Sequence, residues 1–350
     1  MVGNLYVHFP FCRRKCSYCA LHSRAGVSPA DRDGYVRRLV DRLAALDPRL
    51  PTLSTVYFGG GSPGLCDLRP LFAALAPRIA PGTEFTVELH PLDVTDDLLE
   101  TLKAGGVNRI SMGVQSLDDA VLADMGRGYT FAEAERAFAS VKKHFDNAGI
   151  DLIVGYPGET SALTPRHARL AKWGLRHCSV YSLILEEKSI LGRRLLSTAV
   201  DGARKLSSAL PDDETVMNRL RVVSAFLSDI GLERYEISNY AAPGFACRHN
   251  LAVWRGEDYV GLGEGASGRV GLERTLDGKT VETVSPERDR RERTLFRLRT
   301  REGLDGSAFP EWTPILEKFA AEGLLVRSGA VHRLTERGTE VCDSILAELV

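Results

Sequence analysis

The chain carries no apolar run long enough to cross a bilayer, no excess of charge of either sign, and no internal repeat or low-complexity tract. Each absence excludes a class. A membrane-spanning helix needs about 20 predominantly apolar residues, so none is expected. Lys and Arg number 45 against 46 Asp and Glu, a net charge of -1. Such a chain has no global field for nucleic acid or anionic lipid, and no nucleic-acid partner is expected. The opening Met1-Val2-Gly3-Asn4 runs straight into a strand-like apolar stretch without a basic leader or a small-residue cleavage site, so the expected location is cytoplasmic. A disordered or collagen-like chain is at odds with 44% hydrophobic residues, 26% charged residues and a mean hydropathy of -0.12. At 350 residues the chain suits two domains, or one large barrel with an appendage.

Nor does the cysteine count suit a disulfide framework. There are seven, an odd number, and three of them, Cys12, Cys16 and Cys19, lie within eight residues. In a reducing compartment a tight cluster of this kind points to a metal site. Cys66, Cys178 and Cys342 read as small buried hydrophobes.

Over the first two thirds of the chain, short β-branched or aromatic runs alternate with amphipathic helical stretches. Strands are predicted at Leu5–Phe9, Thr55–Phe58, Phe85–Leu89, Arg109–Gly113, Asp151–Gly155 and Ser179–Leu185. Helices are predicted at Asp31–Leu46, at Thr95–Lys103 with Thr95 as N-cap and Gly105 as C-terminal cap, and at Phe131–Phe145. This alternation implies an α/β fold with right-handed crossovers and a parallel sheet long enough to curl into a partial or full barrel. The active site is then expected at the C-terminal ends of the strands.

Beyond Leu185 the rhythm stops. Residues 190–210 read as irregular and basic, Asp212–Ile230 as a helix closed by Gly231, and Tyr235–Asn239 as a strand. From Pro286 the order is a charged helix to about Arg301, a helix near Glu311–Glu322, strands Leu324–Arg327 and Ala330–Leu334 around Ser328-Gly329, and a final helix. That order is winged-helix-like. The expected division is therefore 1–240 as barrel with extension, 241–285 as a connecting segment, and 286–350. Arginines of the charged helix interleave with Glu287, Asp289, Glu292 and Glu302, which reads as a solvated face.

The spacing C-x3-C-x2-C follows directly on the first strand, in a loop at the expected barrel mouth. Three thiolates can hold three irons of a [4Fe-4S] cluster and leave the fourth iron open for a substrate or cofactor. Zinc in a closed Cys3His site, with His22 as fourth ligand, is the alternative. After the second strand, Gly59-Gly60-Gly61 let backbone amides and carbonyls approach a ligand closely. Gly59, Gly61 and Gly64 also satisfy G-x-G-x-x-G, and Glu88 ends the next strand, so a dinucleotide-binding unit is a second reading. Pro63 inside the loop counts against it.

C-x3-C-x2-C with Tyr18 before the last cysteine resembles the signature of the radical S-adenosylmethionine (SAM) family. Tyr6-Val7-His8-Phe9-Pro10-Phe11-Cys12 resembles the entry strand of its branch that holds oxygen-independent coproporphyrinogen oxidase (HemN) and HemW. The likeness continues through Tyr57-Phe58-Gly59-Gly60-Gly61-Ser62-Pro63 and Arg109-Ile110-Ser111-Met112-Gly113-Val114-Gln115-Ser116 to Asp151–Gly158 and Tyr235–Asn239. It implies a partial (β/α)6 barrel of radical SAM type with a C-terminal α+β, winged-helix-like region. It further implies a [4Fe-4S] cluster on Cys12, Cys16 and Cys19, and SAM held by Tyr6, Gly59, Gly60, Gly61, Glu88, Gln115, Arg127 and Asp151. Acidic side chains suit ribose hydroxyls and an ammonium group, and an arginine can pair with the methionine carboxylate. The expected partners include a low-potential electron donor such as flavodoxin or ferredoxin.

Few residues discriminate within the branch. HemN-type enzymes resemble C-x3-C-x2-C-x-C, and here the last position is Leu21. HemW-type proteins carry H-N-x-x-Y-W, and this chain has His249-Asn250-Leu251-Ala252-Val253-Trp254. Both features point to a HemW-like protein that binds haem and delivers it to acceptor proteins. The other reading is a HemN-like enzyme that decarboxylates coproporphyrinogen III with a 5'-deoxyadenosyl radical. The resemblance offers His249 as a haem ligand with Trp254 against the macrocycle, and Cys247 as a softer alternative. A hydrogen-bonded structural role for His249 is equally open. His90 stands where the family usually has Asn, Tyr129 where His is common, and Gly263–Gly268 alters G-x-G-A-H-S.

Overall fold

The computed structural model describes residues 2–46, 50–160, 163–197 and 210–350. Most of the stretch expected to be irregular and basic, residues 198–209, lies outside them. The strands β1 (Asn4–Phe9), β2 (Phe11–Cys12) and β3 (Arg24–Ala25) precede helix α1 (Pro29–Ala45). There follow β4 (Thr55–Gly60), α2 (Arg69–Leu75), β5 (Glu84–Leu89), α3 (Asp96–Ala104), β6 (Arg109–Gln115), α4 (Asp119–Asp124) and α5 (Phe131–His144). The series closes with β7 (Ala148–Val154), α6 (Pro165–Leu170) and β8 (His177–Ser182). Strands β1, β4, β5, β6, β7 and β8 lie side by side in chain order, all parallel. They form the expected six-stranded partial barrel.

The two faces of these strands explain the barrel. Leu5, Val7, Phe9, Val56, Phe58, Phe85, Val87, Ile110, Met112 and Ile150 point to the helix layer and join one core with Leu39, Leu71, Leu99 and Phe138. Full burial of such a side chain stabilises by about 1.5–3 kcal/mol. The intervening positions carry polar groups into the barrel: Tyr6, Tyr57, Glu84, Glu88, Arg109, Ser111, Asp151 and His177. A one-residue slip would exchange the two sets, so the register is tightly specified. Thr95 caps α3 by accepting from the Leu98 N–H at 3.2 Å, and Gly105 ends it.

Residues beyond the barrel depart from expectation in four places. Ile190–Ser197 is a helix, α7. After α8 (Asp213–Asp229), the segment expected to be one strand is β9 (Glu233–Glu236) and β10 (Asn239–Ala241), antiparallel about a turn at Ile237-Ser238. The segment 241–285 does not merely connect. It holds α9 (Arg248–Trp254) and β11 (Tyr259–Leu262), β12 (Ser267–Val270), β13 (Glu273–Leu276) and β14 (Lys279–Thr283). Strand β11 pairs parallel with β1, so these four strands extend the main sheet at one edge and, with β10 and β9 beyond β8 at the other, bring it to twelve. Finally, the last predicted helix is two, broken at Val341.

The C-terminal part comprises α10 (Pro286–Arg297), β15 (Leu304–Asp305), α11 (Thr313–Ala321), β16 (Leu325–Ser328), β17 (Val331–Leu334), α12 (Glu336–Glu340) and α13 (Cys342–Leu349). It has its own core around Phe309, Trp312, Leu316, Phe319 and Ile345. Arginines of α10 are paired with acids: Arg288 with Glu282 and Glu292, Arg291 with Glu311, and Arg293 with Asp258 and Asp289. Among the described residues no helix is long and apolar enough to cross a membrane.

Candidate functional site

At the C-terminal ends of the barrel strands a cavity of about 970 Å³ opens, lined by Cys12, Cys16, Cys19, Gly60, Gly61, Glu88, Gln115, Arg127 and Asp151. Nine predicted site residues, scattered over 140 positions, thus share one wall. Gly59 lies just behind it, where a Cβ would sit 3.0 Å from the Glu88 carboxyl. Tyr6 is deeper in the barrel, with its hydroxyl 3.0 Å from His8 Nδ1.

The cysteine loop is closed at its neck by β2 pairing with β3. Its middle is pinned by the Ser17 N–H donating to Met125 O at 3.0 Å and by Ser17 Oγ at 2.9 Å from the Tyr156 hydroxyl. Its far end is held by His8 Nε2, 2.9 Å from His22 O, and by Lys15 Nζ, which donates to Leu21 O and Ser23 Oγ at 2.8 and 2.7 Å. Burial pushes the Cys12 and Cys19 thiols up, at Cys12 against a Ser23 hydrogen bond that pulls the other way. Thiolates in this setting need a cation, and the Arg127 guanidinium already stands 3.2 Å from Cys16 Sγ. Three soft donors on one loop, facing one roomy cavity, fit an iron-sulfur cluster. His22, the fourth ligand of the zinc alternative, instead faces Glu264 Oε2 at 3.6 Å. Among the described residues no three His, Cys, Asp or Glu side chains converge as on a single ion.

The glycine loop is stitched to the cysteine loop. Gly61 and Ser62 donate their N–H groups to Phe9 O and Phe11 O, each at 2.7 Å. A Cβ on Gly61 would meet Phe11 O at 2.4 Å, and Gly60 adopts φ +104°, so side chains are excluded at both. Asp93, buried, takes Ser62 Oγ and Arg13 Nε together and ties the two loops again. The dinucleotide reading fails here. Pro63–Leu65 forms a 3-10 turn and α2 begins only at Arg69, so no helix N-terminus stands over the glycines to take a pyrophosphate.

Glu88 receives the Tyr57 hydroxyl at 2.8 Å and the Gly60 N–H at 3.0 Å. Burial, with the charge of Asp151 beside it, pushes its carboxyl up to about 7. Burial likewise raises Asp151, which accepts from Ser111 Oγ at 3.0 Å. Gln115 is turned by a bulge in the β6–β7 pairing and has φ +70°, a strained conformation for a residue other than glycine. Arg127 donates from Nε to the Tyr129 hydroxyl at 2.9 Å and from Nη2 to Gly113 O at 2.7 Å. The ring of His90 meets that of Tyr129 edge-on at 5.1 Å. Two of the three departures from the family pattern are therefore in contact. Burial, then the charges of Arg127 and Arg13, push His90 down to about 3, so its imidazole is neutral.

Sequence reasoning missed Tyr57, Asp93 and Tyr181, of which Tyr57 and Tyr181 line the cavity. Tyr57 and Tyr181 were open to discovery, since strand alternation puts them on the faces of Gly59 and Ser179. Asp93 gave no signal.

His249 is not brought to this cavity. It lies at the opposite end of the barrel, buried, its backbone N–H donating to Glu84 Oε1 at 2.9 Å and its Nδ1 2.8 Å from Thr55 Oγ1. Cys247 is fully buried beside Glu84. Trp254 packs on Phe296 and under Arg299.

The model of the radical SAM superfamily matches residues 6–171. Heme chaperone HemW of Mycobacterium tuberculosis is 33% identical over 380 residues, covering 99% of this chain and 94% of that protein. Heme chaperone HemW of Bacillus subtilis is 29% identical over 386 residues, covering 99% and 100%. The structure of coproporphyrinogen III oxidase HemN from Escherichia coli superposes with a TM-score of 0.81 at 20% identity, over 99% of this chain and 89% of that one, which shows the shared fold. With its cysteine triad, glycine loop and six-stranded partial barrel joined on one cavity, the chain belongs to the radical SAM superfamily, in the branch of HemW and HemN.

Proposed function

We propose that this chain is a HemW-like protein that holds a [4Fe-4S] cluster on Cys12, Cys16 and Cys19, binds SAM on the wall from Gly59 to Asp151, and passes haem to acceptor proteins. The observation that carries the reading is the far end of the cysteine loop. Where HemN-type enzymes have a further cysteine, this chain has Leu21, and its side chain is 55% exposed at the cavity mouth. Leu92 and Ile184 are exposed on the same rim, an apolar edge of the kind that a flat macrocycle covers. Similarity to the proteins named heme chaperone HemW supports the same reading.

When bound, a reduced cluster supplies low-potential electrons to the sulfonium of SAM. The residues of this chain bind and orient. Gly60 and Gly61 keep side chains out of the space beside the cysteine loop, Glu88 and Asp151 offer carboxyls to hydroxyl and ammonium donors, and Arg127 presents a fixed fork to a carboxylate. Anaerobic reconstitution followed by parallel assays tests the proposal. Haem binding and transfer are expected, with no conversion of coproporphyrinogen III. SAM-dependent formation of protoporphyrinogen IX without haem binding would establish the oxidase reading instead.

A further inference from the structure

Between the cavity and the opposite end of the barrel lies a layer of three rings. Tyr6 and Tyr57 are 6.1 Å apart by centroid, and His249 lies 5.2 Å from Tyr57 and 6.4 Å from Tyr6. Two hydrogen-bonded arms rise from this layer. In the first, the Tyr6 hydroxyl meets His8 Nδ1 at 3.0 Å and His8 Nε2 meets His22 O at 2.9 Å, just past the last cysteine. In the second, the Tyr57 hydroxyl donates to Glu88 Oε1 at 2.8 Å, and Glu88 Oε2 accepts the Gly60 N–H at 3.0 Å. The arms touch at the top, where a Cβ on Gly60 would lie 2.5 Å from the His8 ring.

The layer rests on His249, which is itself fixed from below. Glu84 accepts the backbone N–H groups of Arg248 and His249, each at 2.9 Å. The Thr55 hydroxyl donates its one proton to Asn4 Oδ1 at 2.9 Å, so it accepts from His249 Nδ1–H at 2.8 Å. The ring is thus held in one tautomer and one orientation beneath both tyrosines.

We propose that His249 is a positioning residue for SAM binding: it seats Tyr57 and Tyr6, and through them sets the Glu88 carboxyl and the glycine loop. The His-Asn-x-x-x-Trp motif then acts on the cavity from the far end of the barrel, through the ring layer. An imidazole suits the task because it is flat enough to pack under two tyrosines and still donates to Thr55. Phenylalanine would keep the packing alone, and alanine neither.

The inference rests on the proposed SAM site, and its test separates the two. Wild-type protein is reconstituted anaerobically, and its iron content, SAM affinity and haem affinity are measured by equilibrium binding. Absence of SAM binding in the wild type overturns the site itself. Given binding, His249→Ala and Tyr57→Phe are each expected to weaken SAM about tenfold, the effect of one hydrogen bond to a charged group misplaced, with iron content and haem affinity unchanged. His249→Phe should lose less than His249→Ala. The double variant His249→Phe with Tyr57→Phe should be no weaker than Tyr57→Phe alone, because both act through one contact. Additive losses, SAM affinity within about twofold of wild type in the single variants, or loss of haem with SAM binding intact would each overturn the proposal. If His249→Ala does not fold, the cycle of His249→Phe and Tyr57→Phe decides.

Discussion

Replacing Glu88 by Gln isolates the electrostatic state of the cavity. The side chain keeps its shape, and the amide can satisfy both neighbours, its oxygen accepting the Gly60 N–H and its NH2 donating to the Tyr57 oxygen. What changes is the titration. Burial, with Asp151 beside it, holds the Glu88 carboxyl at about 7 in the folded chain against an ordinary value of 4.5. The folded state therefore binds the proton more tightly than the unfolded state, and wild-type stability is lost as pH rises from the unfolded value through the folded one. A shift of this size is worth about 3 kcal/mol once both states are ionised, and about 2.5 kcal/mol of it falls between pH 5 and 8. The Gln variant lacks that slope. Urea unfolding of cluster-free wild type and Glu88→Gln at half-unit pH steps should show the variant gaining on the wild type by roughly that amount across the interval. Parallel pH profiles would refute the reasoning, because they would mean that Glu88 is solvated as in the unfolded chain. In reconstituted protein the same substitution should weaken SAM, so stability and binding move in opposite directions.

Strand alternation made much of the barrel legible. Phe85–Leu89 was bounded within one residue of β5 because Phe85, Val87 and Leu89 face the helix layer while Glu88 faces in. Capping chemistry placed α3 equally well. The strands of 241–285 were hidden for physical reasons. β14 is exposed along its whole length and so shows no buried face, and β11 is defined by pairing with β1, some 255 residues away in sequence. Arg109 illustrates the same limit inside the barrel. Its strand was evident from Ile110 and Met112, yet its guanidinium is buried at 1% exposure, in the field of Cys247 and Glu84, which only the closed fold brings near. The cysteine loop is local, so its spacing marked a metal site, while the choice of a cluster over zinc came from the wider resemblance. The position of His249 depended on which end of the barrel α9 enters, and no spacing encodes that.

Two further sets of substitutions probe the cavity wall. Cys12→Ala, Cys16→Ala and Cys19→Ala should each abolish loading of about four irons per chain, and stoichiometric zinc without iron absorption in the wild type would contradict the cluster. Arg127→Lys tests whether charge or geometry matters at Cys16. Three of its N–H groups are committed, Nε to Tyr129, Nη1 to Cys16 Sγ and Nη2 to Gly113 O, which fixes the plane of the fork at the cavity wall. Lysine keeps the charge but is a point donor on a flexible stem and can reach at most one or two of these partners. Losing the fixed fork should lower SAM affinity by about ten- to a hundredfold, close to the effect of Arg127→Ala. Wild-type affinity in Arg127→Lys would show instead that a cation of any shape suffices beside the cluster loop.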